Sequence, residues 1–171
     1  VDPVVPCGRC EYCLSGMENV CANRRAIGYE FDGSFAQYVR IPAIAIQSGN
    51  VNKIPPGTSW EAAALAEPLA CCINGQNRVG IPLGSTVLVM GAGPIGLMHI
   101  LLAKHRGART VIASELHEHR RAAALDFGAD AVCDPQKDDL RALVLQATDG
   151  IGTDVVVLAI VGPLVARRTT T

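Results

Sequence analysis

Seven cysteines are spread unevenly over 171 residues: Cys7, Cys10, Cys13 and Cys21 fall at the start as C-x2-C-x2-C-x7-C. Four thiolates can surround a tetrahedral metal ion at Zn–S distances of about 2.3 Å, and short Cys-x2-Cys loops turn backbone amides toward the sulfurs. Gly8 and Gly16, interleaved with the cysteines, supply the backbone freedom such a knuckle requires. A four-cysteine set leaves no open coordination position, so the zinc it implies is structural. A pair of disulfides or four unrelated thiols is the bland alternative, and the absence of a secretory leader argues against disulfides. An iron–sulfur cluster shares the C-x2-C-x2-C run, but the ferredoxin pattern closes with about three residues and a proline, where this sequence has seven residues. Cys71, Cys72 and Cys133 have no ligand spacing, and Cys133 reads as a small core residue at the end of a strand.

A second chemical signature is Gly91-Ala92-Gly93-Pro94-Ile95-Gly96, placed between the buried-strand run Thr86–Met90 and the apolar stretch Leu97–Ala103. In this G-x-G-x-x-G, Gly91 permits a tight turn, Gly93 lets the backbone approach a pyrophosphate, and Gly96 allows close packing of helix on strand. Pro94 and Ile95 complete the loop and open the helix, whose N-terminal amides face the phosphates. Glu115 lies 19 residues after Gly96, at the end of the strand Thr110–Ser114. An acidic side chain there can accept hydrogen bonds from the adenosine ribose, and it repels a 2′-phosphate, so NAD is favoured over NADP. The neighbouring Arg120 and Arg121 temper that preference, and the plain alternative for Glu115 is a surface residue capping the next helix.

These groups need elements to position them. Residues 27–42 read as short strands around a turn at Asp32-Gly33, with Phe35, Tyr38, Val39 and Ile41 suited to a half-buried sheet. Ile44–Ile46 reads as another strand, Pro55-Pro56-Gly57 breaks the chain, and Ser59 can cap a helix from Trp60 with Glu61 in its first turn. Beyond the glycine loop a helix spans His117–Phe127 and stops at Gly128. A strand covers Ala131–Cys133, Asp134-Pro135 opens a helix running to about Thr148, and Asp154–Ala159 forms a fourth strand. Four parallel strands with intervening helices make an α/β Rossmann-type dinucleotide fold that is incomplete, because the usual order needs about six.

Composition bounds the partners. Lys+Arg 15 against Asp+Glu 16 gives a net charge of -1, which leaves no basic surplus for nucleic acid. Apolar runs stop well short of the ~20 residues of a membrane span, and the N-terminus lacks the regions of a signal peptide. A cytoplasmic, globular chain is expected. It begins at Val1 rather than Met and so reads as part of a longer protein.

The cysteine cluster, the turn Asp32–Tyr38, Ala66-Glu67-Pro68-Leu69-Ala70 and Gly91–Gly96, in that order, resemble the zinc-dependent medium-chain dehydrogenases. The likeness is closest to the polyol branch of sorbitol or iditol dehydrogenase, with threonine dehydrogenase nearby. It implies the C-terminal part of a GroES-like catalytic domain with a structural-zinc lobe over residues 1–68. The N-terminal part of a Rossmann NAD-binding domain would follow over 69–171. It implies oxidation of a secondary alcohol, a polyol or sugar alcohol, with hydride passing to NAD, in a homo-oligomeric parent protein. By the same resemblance Glu67 is a ligand of a catalytic zinc or holds its water, and Cys71, one helical turn on, touches the nicotinamide. The family's catalytic Cys and Gly-His-Glu have no counterpart in this chain, so it is expected to be inactive alone. His99, His105, His117 and His119 are expected to be solvated or core residues. The tail after Ala159, with Val161-Gly162-Pro163 and Arg167-Arg168-Thr169-Thr170-Thr171, departs from the family. Rival readings are a non-catalytic zinc and dinucleotide module, a threonine dehydrogenase-like enzyme, and a zinc-free quinone-reductase-like protein using NADPH. The cysteines and Glu115 both argue against the last.

Overall fold

A computed structural model describes residues 1–160, and the divergent tail lies outside the described residues. The chain divides into two compact units between Ala64 and Leu65.

In the first unit, β1 (Val4–Val5) pairs antiparallel with β2 (Arg25–Ala26), closing the loop that carries the four cysteines. Between them stand the one-turn helix α1 (Glu11–Leu14) and a 3-10 turn at Glu18–Val20. The strands expected over 27–42 do not form. Ile27 and Phe31 make an isolated bridge, residues 28–30 are a turn, and residues 32–41 have no regular strand. Phe35 and Tyr38 are exposed to solvent, since among the described residues no neighbouring strand pairs with this stretch. The strand expected at Ile44–Ile46 is instead helix α2 (Ala43–Gln47), entered from Pro42. Five residues are too few for apolar spacing to separate helix from strand, and Pro42 with its fixed φ of -62° sets the helical entry. Helix α3 (Trp60–Ala64) has its expected cap, the Ser59 hydroxyl accepting from the Ala62 amide at 3.1 Å.

Asn50, 5% exposed, ties this unit to its own beginning. Its Nδ2 donates to the carbonyls of Asp2 (3.1 Å) and Val4 (2.7 Å), while its own carbonyl accepts from the Asp2 amide at 2.8 Å.

The second unit is α4 (Ala66–Val79), β3 (Thr86–Met90), α5 (Pro94–His105), β4 (Thr110–Ser114), α6 (Glu118–Asp126), β5 (Ala131–Cys133), α7 (Leu140–Ala147) and β6 (Val155–Leu158). The sheet is wholly parallel in the order β5-β4-β3-β6, with Val87 opposite Val111 on one side and Val155 on the other. β3 and β4 are continuous apolar runs because both of their faces are covered: Val87, Val89, Val111, Ile112 and Ala113 are fully buried. Ile100 and Ala103 of α5 and Ala124 of α6 join that core. Asp154 clamps the start of β6 to β3, its carboxylate accepting from the Thr86 amide at 2.7 Å.

One further element departs from expectation. Pro135 opens a turn rather than a helix. The Asp134 side chain accepts from the Gln136 amide, and the Asp138 side chain accepts from the Asp134 amide. These local bonds compete with helix formation, so α7 starts only at Leu140, where Asp139 caps it through the Ala142 amide at 3.0 Å. Among the described residues no helix is long and apolar enough to cross a membrane.

Asn50→Ala leaves the Val4 carbonyl without its side-chain donor, and is expected to cost about 1–3 kcal/mol. A lowered urea-unfolding midpoint of the first unit, followed by amide exchange at Val4 and Val5, checks this.

Candidate functional site

The order β5-β4-β3-β6 reverses direction between β3 and β6, which is where open parallel sheets leave a crevice beyond their strand ends. A cavity of about 570 Å³ lies there. Its walls are the strand ends Met90, Ser114 and Ala159, the loop residues Gly91, Gly93, Pro94 and Ile95, and Glu115 with His117 and Arg120.

The three loop glycines differ in what holds them. Gly91 has φ +94°, and a Cβ on it would stand 2.7 Å from the Ala159 carbonyl oxygen. A Cβ on Gly96 would fall on the carbonyl of Gly91, so helix and loop touch backbone to backbone. Around Gly93 a Cβ would meet nothing within 4 Å; the space facing it is open to a ligand. Pro94 is the first residue of α5, where its missing N–H costs nothing.

Glu115 is 7% exposed and bridges two segments. Its Oε2 accepts from the Ala92 amide and its Oε1 from the His117 amide, each at 2.9 Å. Burial alone would push its pKa up, but the His117 and Ala92 amides, followed by the positive charge of Arg120, outweigh that and hold it below 4.5. The two arginines beside it divide their work. Arg120 stands 3.9 Å from the Glu115 carboxylate and is half exposed. Arg121 donates to the carbonyls of Glu115 (2.8 Å) and Leu116 (2.6 Å) and reaches Asp134 at 3.4 Å, so its guanidinium is engaged.

His117, expected to be a solvated or core residue, lines the cavity and stacks on His119 with ring centroids 5.7 Å apart. Ile160, the residue after Ala159, also lines it. Both lie next to strand ends, and the rule that such sheets bind ligands at those ends is the signal that could have found them. His99 pairs with buried Gln76 between α4 and α5, and burial holds its pKa low. His105 bonds the Leu101 carbonyl one turn back on its own helix.

In the first unit the sulfurs of Cys7, Cys10, Cys13 and Cys21 lie within 4.8 Å of one another. Cys10 Sγ is 3.5 Å from Cys13 Sγ and 3.7 Å from Cys21 Sγ. A tetrahedron of Zn–S bonds of about 2.3 Å has edges of about 3.8 Å, so this donor set fits a zinc ion. Backbone amides of Cys7 and Asn23 point at Cys21 Sγ at 3.3 and 3.4 Å. Amides of Cys13 and then Ala22 lower the Cys10 pKa to about 6, whereas burial and the neighbouring sulfurs push Cys13 up to about 12. Four sulfurs converging in this way make the donor set of a soft-metal site.

Glu67 and Cys71 sit on the exposed face of α4, with Cys71 Sγ 3.3 Å from Glu67 Oε1. Neither lines the dinucleotide-type cavity. Cys72 is buried, with its Sγ 3.9 Å from the Ile95 carbonyl. Among the described residues the four N-terminal cysteines are the one group of three or more metal-capable side chains.

Known proteins share this fold. Residues 1–55 match the alcohol dehydrogenase GroES-like domain family and residues 94–168 the zinc-binding dehydrogenase family. The chain belongs to the zinc-dependent medium-chain dehydrogenases. It is 40% identical over 151 residues to a sorbitol dehydrogenase of Halalkalibacterium halodurans, covering 88% of this chain and 43% of that one. It is 41% identical over 155 residues to an L-threonine 3-dehydrogenase of Pyrococcus furiosus, covering 91% and 43%. A zinc-binding dehydrogenase structure from Sinorhizobium meliloti 1021, bound to NADP, superposes with a TM-score of 0.79 at 40% identity, over 92% of this chain and 45% of that one. The chain therefore spans less than half the length of these relatives. The medium-chain architecture is thus a GroES-like part followed by an incomplete Rossmann-type part.

Because the native state favours the charged form of Glu115, its contribution to stability is whole above pH 4.5 and is lost as pH falls through the lower folded pKa. Glu115→Gln, which does not titrate, is expected to be less stable than the parent chain at neutral pH. The gap should close on acidification below that range, as read from unfolding midpoints across a pH series.

Proposed function

We propose that this chain is a stretch of an NAD-dependent zinc dehydrogenase that oxidises a secondary alcohol of the polyol or sugar-alcohol class. The observation that carries the reading is the cavity at the sheet reversal, bounded by the open loop at Gly93 on one side and the ionised Glu115 on the other. The N-terminal amides of α5 and the loop from Gly91 to Gly96, with Pro94 and Ile95, would take the pyrophosphate. Each carboxylate oxygen of Glu115 already accepts one amide and retains a further lone-pair direction for a ribose hydroxyl. Its negative charge disfavours a 2′-phosphate, and the engagement of Arg121 leaves Arg120 alone beside it. The NADP found in the Sinorhizobium relative makes that preference the point to test.

Cys7, Cys10, Cys13 and Cys21 would hold a structural zinc that cross-links the lobe. Glu67 would supply a carboxylate to a catalytic zinc, with Cys71 beside it toward the nicotinamide, the other ligands lying outside this chain. A catalytic zinc held with the help of Glu67 would supply Lewis acidity toward the alcohol, and a dinucleotide bound along the glycine loop would supply the hydride acceptor. The parent protein would be a homo-oligomer of the cytoplasm.

Zinc analysis of the purified chain is expected to give one ion per chain, lost in Cys10→Ser. A fluorescence titration should show NADH binding roughly tenfold tighter than NADPH, and Glu115→Ala should erase the difference. The chain alone should form no NADH with polyols. Absence of both zinc and dinucleotide binding would overturn the reading. In the full-length protein, polyols should be oxidised in preference to L-threonine.

A further inference from the structure

Helix α4 carries Glu67 and Cys71, yet within this chain it has little to orient it. Its buried residues are Cys72 and Gln76, with Pro68 and Leu69 half-buried. A surface helix is ordinarily set about its axis by a broad apolar stripe; here the two deepest positions are a thiol and a primary amide. Each meets a partner on α5 that lies 23 residues further along the chain. Cys72 Sγ stands 3.9 Å from the Ile95 carbonyl, and Gln76 Nε2 donates to the His99 carbonyl at 2.9 Å. Two pairs with one offset mean that the helices run parallel, so their N-terminal ends lie together. Pro94 and Ile95, at that end of α5, line the dinucleotide-type cavity. Cys71 is therefore level with Ile95 along the axis, and Glu67 lies one turn further toward the loop end.

Of these two contacts the second is directional. Gln76 is 2% exposed, and its Nε2 also stands 3.2 Å from His99 Nδ1. An amide nitrogen only donates, so Nδ1 accepts and the ring carries its proton on Nε2. Burial, which lowers the His99 pKa, favours that uncharged ring. The amide cannot turn over, because its oxygen would then face the His99 carbonyl oxygen. Its Oε1 is left buried without a hydrogen-bond partner. An orphaned acceptor costs stability, so Gln76 is poorly suited to holding two helices together and well suited to fixing their alignment. Arg106 adds a bond to Asn77 near the other end, but that bond is exposed and water competes for it.

We propose that Gln76, acting through His99, is a positioning residue that holds α4 in register on α5 and so sets Glu67 and Cys71 against the nicotinamide end of the dinucleotide site. This rests on the roles proposed above for Glu67 and Cys71.

Alkylation of Cys71 by iodoacetamide in the zinc-loaded 171-residue chain, read by peptide mass with and without saturating NADH, tests it. NADH is expected to slow the labelling of Cys71 in the parent chain. Gln76→Met removes the orphaned oxygen together with the directional bonds, and a flexible apolar side chain specifies register poorly. The variant should keep its unfolding midpoint and its Kd for NADH and lose the protection. In the full-length holoenzyme the same exchange should lower kcat roughly tenfold or more with KM for NAD unchanged. Equal protection in parent and variant would reduce Gln76 to a structural residue and overturn the proposal, leaving the roles of Glu67 and Cys71 intact. Protection lost only in step with weaker NADH binding, or a rise in KM for NAD with kcat unchanged, would do the same. No protection in the parent chain would overturn the role of Cys71 and the proposal with it. Should the variant fail to fold, the ring-nitrogen NMR shifts of His99 in the parent chain decide. A ring protonated on Nε2 alone supports the proposal, and one protonated on Nδ1 at neutral pH overturns it, since Gln76 could then donate nothing to it.

Discussion

A Cβ on Gly96 would coincide with the carbonyl of Gly91, and one on Gly91 would press on the carbonyl of Ala159. Helix α5, the turn after β3 and the end of β6 can meet only because neither position carries a side chain. That backbone contact fixes where α5 begins, and therefore where its unpaired amides point. It also fixes the direction of the Ala92 N–H, which reaches the Glu115 carboxylate across the gap between β3 and β4. The cavity exists because the loop is packed tightly at Gly91 and Gly96 and left open at Gly93. Filling either packed position would move the helix, the carboxylate partner and the cavity wall together.

The two units reach order by different means. The second has a continuous apolar core built from β3, β4, α5 and α6. In the first, the buried hydrophobic side chains are Val5, Cys21 and Ala45, too few to order some sixty residues by burial alone. What draws it together is polar and local: the Asn50 side chain on two carbonyls, the short β1–β2 pairing, and backbone amides turned toward sulfur. A metal on those sulfurs would act as the missing core, since a site that exists only in the folded state returns its binding energy as folding energy.

This contrast explains what was legible in the sequence. β3, β4 and β5 lie at the residues expected of them, because a buried parallel strand is a short, continuous, largely apolar run. The convergence of the four cysteines, and the meeting of the glycine loop and Glu115 at one cavity, were equally readable, since short fixed spacings leave the backbone few ways to arrange them. The hairpin around Asp32-Gly33 was not. Alternation records a strand's capacity to be half buried, and Phe35 and Tyr38 meet no partner sheet among the described residues. Ile44–Ile46 failed because five residues carry no period, and Pro135 because side-chain turns at Asp134 and Asp138 outcompeted the helix start it favours elsewhere. The role of His117 was hidden for another reason. Its backbone amide, not its ring, holds Glu115, and no residue type advertises a backbone donor.

On the proposed reading Glu115 joins stability to cofactor selectivity in one group. Its burial opposes ionisation, and two backbone amides reverse that outcome. The same amides that keep it charged join the loop after β3 to the segment after β4. On the proposed reading, discrimination against a 2′-phosphate would therefore not be a simple surface property of this position. Replacing the carboxylate with a neutral side chain strips the Ala92 and His117 amides of a charged acceptor, which weakens the loop before any new cofactor is considered. Of the two neighbouring arginines only Arg120 would be at hand to receive the phosphate: Arg121 is held by the Glu115 and Leu116 carbonyls and by Asp134, and freeing it would unfasten the entry to α6. On that reading a change of cofactor would have to replace Glu115 and find new acceptors for both amides, with Arg120 already in position at the cavity rim.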